Sequence, residues 1–168
     1  VTLSSRNLKI ILQDKQSLDP NLRDAVCNIA AWYGTKTIYE AMLCLYLGAE
    51  SQEEKSRYLH ALGSFRDEKL LDQTLRFTMS REVRSQDTVG VIATVAGNPK
   101  GRDLAWEFVQ TNWPKFMRRY GEGISFMLSR LVEGVTSGFD THEKKQEVEE
   151  FFAAHPVPAA TMALQRAL

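Results

Sequence analysis

The stretch NPKGRDLAWEFVQTNW, residues 98–113, indicates most clearly how this chain folds. Asn98 belongs to the residue types that commonly cap a helix, and Pro99 is favoured at a first helical position. Four apolar residues then recur at the spacing that places them on one helix face: Leu104, Ala105, Phe108 and Val109. The stretch therefore predicts an amphipathic helix, which Pro114 is expected to break or kink.

The same helical period continues outward from this stretch in both directions. No segment alternates polar and apolar residues over enough positions to predict a strand. Residues suited to cap helices precede several of the apolar runs: Asp19, Ser51, Ser85 or Asp87, and Asp140 or Thr141. A last helix is predicted from Ala159 onward. The sequence thus predicts about ten helices, joined by links of about two to six residues.

Short links between helices imply antiparallel neighbours. Two all-α architectures satisfy this condition, a compact bundle and a stack of helical hairpins. We expect the second, a right-handed superhelix of antiparallel helical hairpins of the HEAT or armadillo type. No internal linker divides the chain, so residues 1–168 are predicted to form a single α-helical segment.

The charge balance excludes several classes of partner. The chain has 168 residues, with 21 Lys and Arg against 21 Asp and Glu, and so no formal net charge. This neutrality argues against nucleic acid or an anionic membrane as a partner, and no apolar run approaches the ~20 residues of a membrane helix. Basic and aromatic residues interleave over residues 113–120. We interpret that run as a solvated helix face with buried aromatic rings rather than as a nucleic-acid stripe.

The polar residues predict neither a catalytic nor a metal site. The histidines are His60, His142 and His155. HEKKQ at residues 142–146 approaches the zinc-peptidase pattern H-E-x-x-H, but glutamine replaces the second histidine, so one metal ligand is missing. Cys27 and Cys44 do not make a disulfide framework and are predicted to be reduced core thiols.

Two motifs in the middle of the chain carry a resemblance to a known family. They are V-R-x-Q-D at residues 83–87 and G-R-x-x-A-W-x-F-x-x-x-N-W at residues 101–113, and EEFFAAHP at residues 149–156 continues the match. Over roughly residues 18–168 the chain resembles the C-terminal helical domain of the gluzincin zinc aminopeptidases, most closely the puromycin-sensitive type.

The resemblance implies a role within a larger enzyme. In that family a thermolysin-like catalytic domain binds zinc through H-E-x-x-H and a distant glutamate, and the helical domain encloses the peptide chamber above the active site. This chain would therefore be a non-catalytic segment whose catalytic domains are absent. Its implied partners are the parent's catalytic domain and a peptide substrate, and zinc would be the parent's cofactor. Because the chain begins at Val1 rather than Met, we expect a piece of a longer enzyme.

Four cations are candidate peptide contacts: Arg84, Arg102, Lys100 and Arg118. An arginine pairs well with a peptide carboxylate, but Arg84 is interpreted first as tied to Asp87 within its own turn. Trp106 shares a helix face with Arg102 and is interpreted as a core residue rather than a ligand contact.

Two alternatives and two further expectations accompany this interpretation. The chain is alternatively an independent helical-repeat adaptor that binds a peptide or protein on a concave face. A free-standing enzyme built on the three histidines ranks last. The exposed end of a truncated stack predicts self-association. The absence of a disulfide pattern favours a cytoplasmic parent.

Overall fold

The computed structural model describes residues 19–121 and 125–156, and over those ranges the chain is helical, with no strand. A 3-10 turn at Pro20–Leu22 is followed by eight α-helices: α1 (Arg23–Trp32), α2 (Lys36–Gly48), α3 (Gln52–Leu62), α4 (Glu68–Thr78), α5 (Ser85–Gly97), α6 (Arg102–Tyr120), α7 (Ser125–Thr136) and α8 (His142–Ala154). The prediction of an all-α fold is confirmed. The predicted helix from Ala159 onward lies outside the described residues.

Two of the predicted N-caps form hydrogen bonds at the helix starts where they were expected. The Ser51 hydroxyl accepts the Glu54 N–H at 3.2 Å at the start of α3. The Thr141 hydroxyl accepts the Lys144 N–H at 3.3 Å at the start of α8. Both satisfy an amide that has no partner inside the helix.

Other helix starts differ from the prediction. Asp19 caps only the 3-10 turn, by accepting the Asn21 N–H at 2.9 Å, and α1 begins afterwards at Arg23. Neither Ser85 nor Asp87 caps α5, because Arg84 occupies the cap position without a side-chain cap bond. The helix predicted to open at Asn98-Pro99 begins only at Arg102.

Of the break or kink expected at Pro114, the break is absent and the kink stays a prediction. Helix α6 runs from Arg102 to Tyr120 with Pro114 inside it. Pro114 lacks an N–H and cannot bond the carbonyl four residues earlier. The proline lies on the exposed face, whereas Trp113 and Phe116 beside it are buried. Burial of those two rings offsets the cost of the missing hydrogen bond, so the helix continues past the proline.

Helices two apart in the chain pack side by side. Helix α1 contacts α3, α3 contacts α5, α5 contacts α7, and α4 contacts α6, in addition to contacts between chain neighbours. This pattern of neighbouring helices is the one expected for stacked helical hairpins. The right-handed superhelical course stays a prediction. No helix in the described ranges is both long and apolar enough to span a membrane.

The two cysteines lie in different environments. Cys27 is buried in the core, and its burial raises the thiol pKa to about 11. Cys44 is exposed on α2, so the prediction of two core thiols is wrong for that residue. Cys44 lies between the helix positions whose side chains reach the core, Met42 and Tyr46.

Candidate functional site

The structure does not bring the four candidate cations into one site. Helices α5 and α6 are antiparallel, because Arg119 and Tyr120 at the end of α6 bond Ser85 at the start of α5. Arg84 and Arg118 therefore lie toward one end of this hairpin, and Lys100 and Arg102 lie at the other. Arg102 and Arg118 are 16 positions apart on α6, which corresponds to about 24 Å along the helix axis.

Arg84 is tied to its own turn. Its Nε donates to Asp87 Oδ2 at 2.7 Å, and its Nη2 donates to Asp87 Oδ1 at 3.1 Å. This bidentate pair raises the pKa of the guanidinium, the hydrogen bond to Asp87 being the main cause. The preferred interpretation of Arg84 is confirmed, and its contact with a substrate stays a prediction.

Arg102 packs against the turn between α7 and α8. Its Nε is buried and has no hydrogen-bond partner among the described residues. A Cβ placed at Gly138 would lie 2.8 Å from that nitrogen, so the absence of a side chain at Gly138 makes room for the guanidinium. Lys100 and Arg118 are exposed. Peptide contact by these three residues stays a prediction.

Trp106 is the centre of the contact between α6 and α8. It is 1% exposed and packs edge-on against Phe151 at a centroid distance of 5.4 Å. Its indole Nε1 donates to Glu147 at 2.7 Å. Burial alone would raise the pKa of the Glu147 carboxyl, but hydrogen bonds from Lys144 and Trp106 hold it below its usual value. Trp106 is therefore a core residue, as predicted.

A groove of about 430 Å³ lies between α4 and α6. One stripe of α6 lines one wall: Leu104, Glu107, Phe108, Thr111, Asn112 and Lys115. The facing wall comes from Asp72 and Arg76 of α4 and from Met79, the residue just after that helix. Leu104, Phe108 and Met79 pack against the hydrophobic core and form an apolar floor.

The two walls run in the same direction. Asn98, just ahead of α6, bonds the carbonyls of Gly63 and Phe65, just ahead of α4. At the other ends of the helices, Arg119 Nη1 lies 3.9 Å from Met79 Sδ. The acidic groups of the groove thus face its amino-terminal end, and its lysine faces the carboxyl-terminal end.

A second cavity, of about 300 Å³, lies between α1 and α3. Arg57 forms its base, with a side chain only 5% exposed. The guanidinium donates to Asp24 and to Glu53, whose side chains are 72% and 77% exposed. A buried arginine needs such partners, because an unpaired buried charge is strongly destabilising. The arrangement explains the fold locally.

His60 borders that cavity in its neutral form. Thr94 donates its single hydroxyl proton to the Gly90 carbonyl at 3.0 Å. The Thr94 oxygen therefore accepts from His60 Nδ1 at 2.8 Å, which assigns the imidazole proton to Nδ1. Burial lowers the pKa of His60, and the negative charges of Asp87 and Asp24 oppose that shift.

The free energy of unfolding should therefore fall as the pH drops below about 6.5, the pKa of an exposed histidine. In that range the unfolded chain binds a proton at His60 while the folded chain does not, until the pH reaches the lower folded pKa. His60→Gln should flatten the curve between pH 7.5 and 5.5, as measured by urea unfolding. His142→Gln, at an exposed position, is the control and should keep the wild-type slope. A wild-type slope in His60→Gln would contradict the assignment.

The histidines do not form a joint site. His60 lies on α3, His142 begins α8, and His155 follows α8 and stacks on Phe151 at 4.4 Å. Among the described residues, no three His, Cys, Asp or Glu side chains are grouped as metal ligands would be.

Exposed hydrophobic side chains lie on α1 and at the two residues that flank it. Ile29 on the helix is 45% exposed, Leu22 just before it is 53% exposed, and Tyr33 just after it is 66% exposed. The predicted self-association stays a prediction, and these side chains offer apolar surface for it.

Comparison with known proteins identifies the class. A sequence model described as the ERAP1-like C-terminal domain matches residues 4–168, and the chain belongs to that family. The chain is 34% identical over 133 residues to Aminopeptidase M1 of Arabidopsis thaliana. That alignment covers 79% of this chain and 15% of the relative. It is 32% identical over 160 residues to Aminopeptidase N of Mus musculus, covering 92% of this chain and 16% of the relative.

These relatives are aminopeptidases, and this domain is the C-terminal part of such enzymes. The predicted resemblance to the C-terminal domain of aminopeptidases is confirmed, while the puromycin-sensitive type stays a prediction. The chain spans about a sixth of the relatives' length or less.

Proposed function

We propose that this chain is a non-catalytic part of a zinc aminopeptidase and that it lines the chamber holding the peptide substrate. The family match over residues 4–168 carries the proposal. The stack of hairpins supports it, because side-by-side helices form a broad wall with grooves along its face. The α4–α6 groove is one such feature.

The parent enzyme would remove N-terminal residues from peptides. Zinc, when bound, would activate the attacking water. The described residues contain no group of three side chains suited to bind it, so the ligands would come from the rest of the parent. This chain would exclude folded proteins and hold the distal part of the peptide. A cytoplasmic parent stays a prediction.

The experiment compares the longer protein with the isolated chain. The purified 168-residue chain, supplied with zinc, should not cleave an aminoacyl fluorogenic amide, and the longer protein should cleave it. If the longer protein lacks an H-E-x-x-H motif and does not cleave the amide, the adaptor alternative is favoured instead. Turnover by the isolated chain would contradict the non-catalytic role.

The chamber itself needs a separate measurement on the longer protein. A free peptide of about ten residues should be trimmed at least tenfold faster, in kcat/KM, than the same residues fused by a short linker to a stable folded domain. The folded domain cannot enter an enclosed chamber. A longer flexible linker is the control and should restore trimming. Equal rates for the short fusion and the free peptide would contradict enclosure.

A further inference from the structure

We propose that the α4–α6 groove binds a short extended peptide segment by three features: a cation at Glu107, an anion at Lys115 and an apolar side chain between them. The proposal rests on the proposed function only in taking a peptide as the occupant. It adds which charged side chains the bound peptide carries and how far apart they lie along it.

The charges left without counter-ions define the two ends of the groove. Asp72 and Arg76 neutralise one another on α4, with Nε and Oδ2 2.8 Å apart. On α6, Lys115 Nζ donates to the neutral amide of Asn112 at 2.9 Å, and no ion pair engages Glu107 among the described residues. Glu107 and Lys115 thus offer one negative and one positive charge to a ligand.

The spacing of these charges sets the length of the ligand. Glu107 and Lys115 are eight positions apart on α6, which corresponds to about 12 Å along the helix axis. An extended peptide rises about 3.3 Å per residue, so 12 Å matches positions i and i+4. Positions i, i+2 and i+4 of an extended peptide point to the same side. The side chain at i+2 therefore faces the same wall as the two charged ends.

The floor accepts an apolar side chain at that middle position. Leu104, Phe108 and Met79 are partly buried and present apolar surface to the groove. Thr111 and Asn112 add polar groups beside it. An apolar pocket with a few placed polar groups is typical of ligand sites of this size.

The test measures binding of short blocked peptides to the intact 168-residue chain by NMR titration of its ¹⁵N-labelled amides. The first peptide has the order Lys-Gly-Phe-Gly-Glu. Two others replace one end, giving Lys-Gly-Phe-Gly-Lys and Glu-Gly-Phe-Gly-Glu, and a fourth replaces Phe with Ser. The wild-type chain should bind the first peptide several-fold more tightly than the other three. The shifted amides should lie in α4 and α6.

Charge reversal then changes the preference in a defined way. Lys115→Glu should make the Lys-Gly-Phe-Gly-Lys peptide the preferred ligand, and Glu107→Lys should make the Glu-Gly-Phe-Gly-Glu peptide preferred. The swing in relative affinity should be about tenfold and should shrink in high salt, because both charges are solvent-exposed. Lys69→Glu, an exposed α4 position outside the groove, should keep the wild-type ranking. A Lys-Gly-Phe-Gly peptide with a free C-terminal carboxylate is also compared with the same peptide as its C-terminal amide. Tighter binding of the carboxylate form would show that the peptide's C-terminus can supply the anion at Lys115.

The possible outcomes separate this proposal from the proposed function. Equal affinities for all four peptides, or a ranking unchanged in both charge-reversed variants, would overturn the groove assignment. So would amide shifts confined to other helices, or no binding of any peptide. Each of these results leaves the enclosed chamber to be decided by the trimming rates of the longer protein. If the longer protein trims peptides as predicted but the 168-residue chain binds none of the four peptides, only the proposal for the α4–α6 groove is overturned.

Discussion

Trp106→Ala should lower the free energy of unfolding by about 3–5 kcal/mol, the range for removing a large buried aromatic side chain. The indole is 1% exposed and packs against rings of Phe139 and Phe151 at 6.1 Å and 5.4 Å. Its removal leaves a cavity where α6 meets α8 and deprives Glu147 of an N–H donor. Urea unfolding followed by circular dichroism measures the loss, and hydrogen exchange should show it concentrated in α8.

Two companion variants separate packing from the hydrogen bond. Trp106→Phe keeps one aromatic ring in the cavity but loses the N–H donor and the second ring of the indole, while Lys144 still bonds Glu147. It should therefore cost about 1–2 kcal/mol, less than alanine. Trp32→Ala is the matched control. Trp32 is 36% exposed and lies beneath the Arg66 guanidinium at 5.2 Å, so its loss should cost clearly less than the loss of the fully buried Trp106. Similar losses for Trp106→Ala and Trp32→Ala would refute the central role of Trp106.

The existence of the helices could be predicted because their signals are local. The apolar period and the caps at Ser51 and Thr141 lie within a few residues of the helix starts that they define. Pro114 shows where a local rule fails. The cost of its missing hydrogen bond is offset by burial of Trp113 and Phe116, and that burial depends on distant helices.

The groove could not be predicted, because it belongs to two helices that are far apart in the sequence. The period of α6 places Glu107 and Lys115 on a solvated face, but it does not say that α4 lies alongside. The buried Arg57 was missed for the same reason, since its partner Asp24 is 33 positions away. The mixed stripe of Leu104, Glu107, Phe108 and Lys115 on α6 was the one local signal, and it is also common on ordinary surface helices.

The four candidate cations illustrate the same limit. Each was chosen for its charge and its place near a helix end, and the structure puts them at opposite ends of the α5–α6 hairpin. The interpretation of Arg84 as tied to Asp87 needed only three positions of sequence, and it is the one that the structure confirms. The Arg84–Asp87 pair could therefore be predicted from a few neighbouring residues, whereas a site shared between distant residues could not.

Asn98→Ala should cost about 2–4 kcal/mol, because one buried amide joins two turns of the stack. The side chain is 6% exposed. Its Nδ2 donates to the carbonyls of Gly63 and Phe65 at 3.1 Å and 2.7 Å, and its Oδ1 accepts the Lys100 N–H at 3.0 Å. Alanine leaves both carbonyls without that donor in a place with little water. Urea unfolding measures the loss.

Asn98→Asp tests whether the donor or merely the shape of the side chain matters. The carboxylate fills the same volume but sets a negative charge beside two carbonyl oxygens, so at pH 7 it should be at least as destabilising as alanine. Lowering the pH until the carboxyl is protonated should recover part of the loss, because a protonated carboxyl can donate one hydrogen bond. Asn28→Ala, at an exposed amide bonded to Ser64 at 3.1 Å, is the control and should change stability by about 0.5 kcal/mol or less. An Asn98→Ala chain as stable as that control would show that the two turns are held together without this bridge.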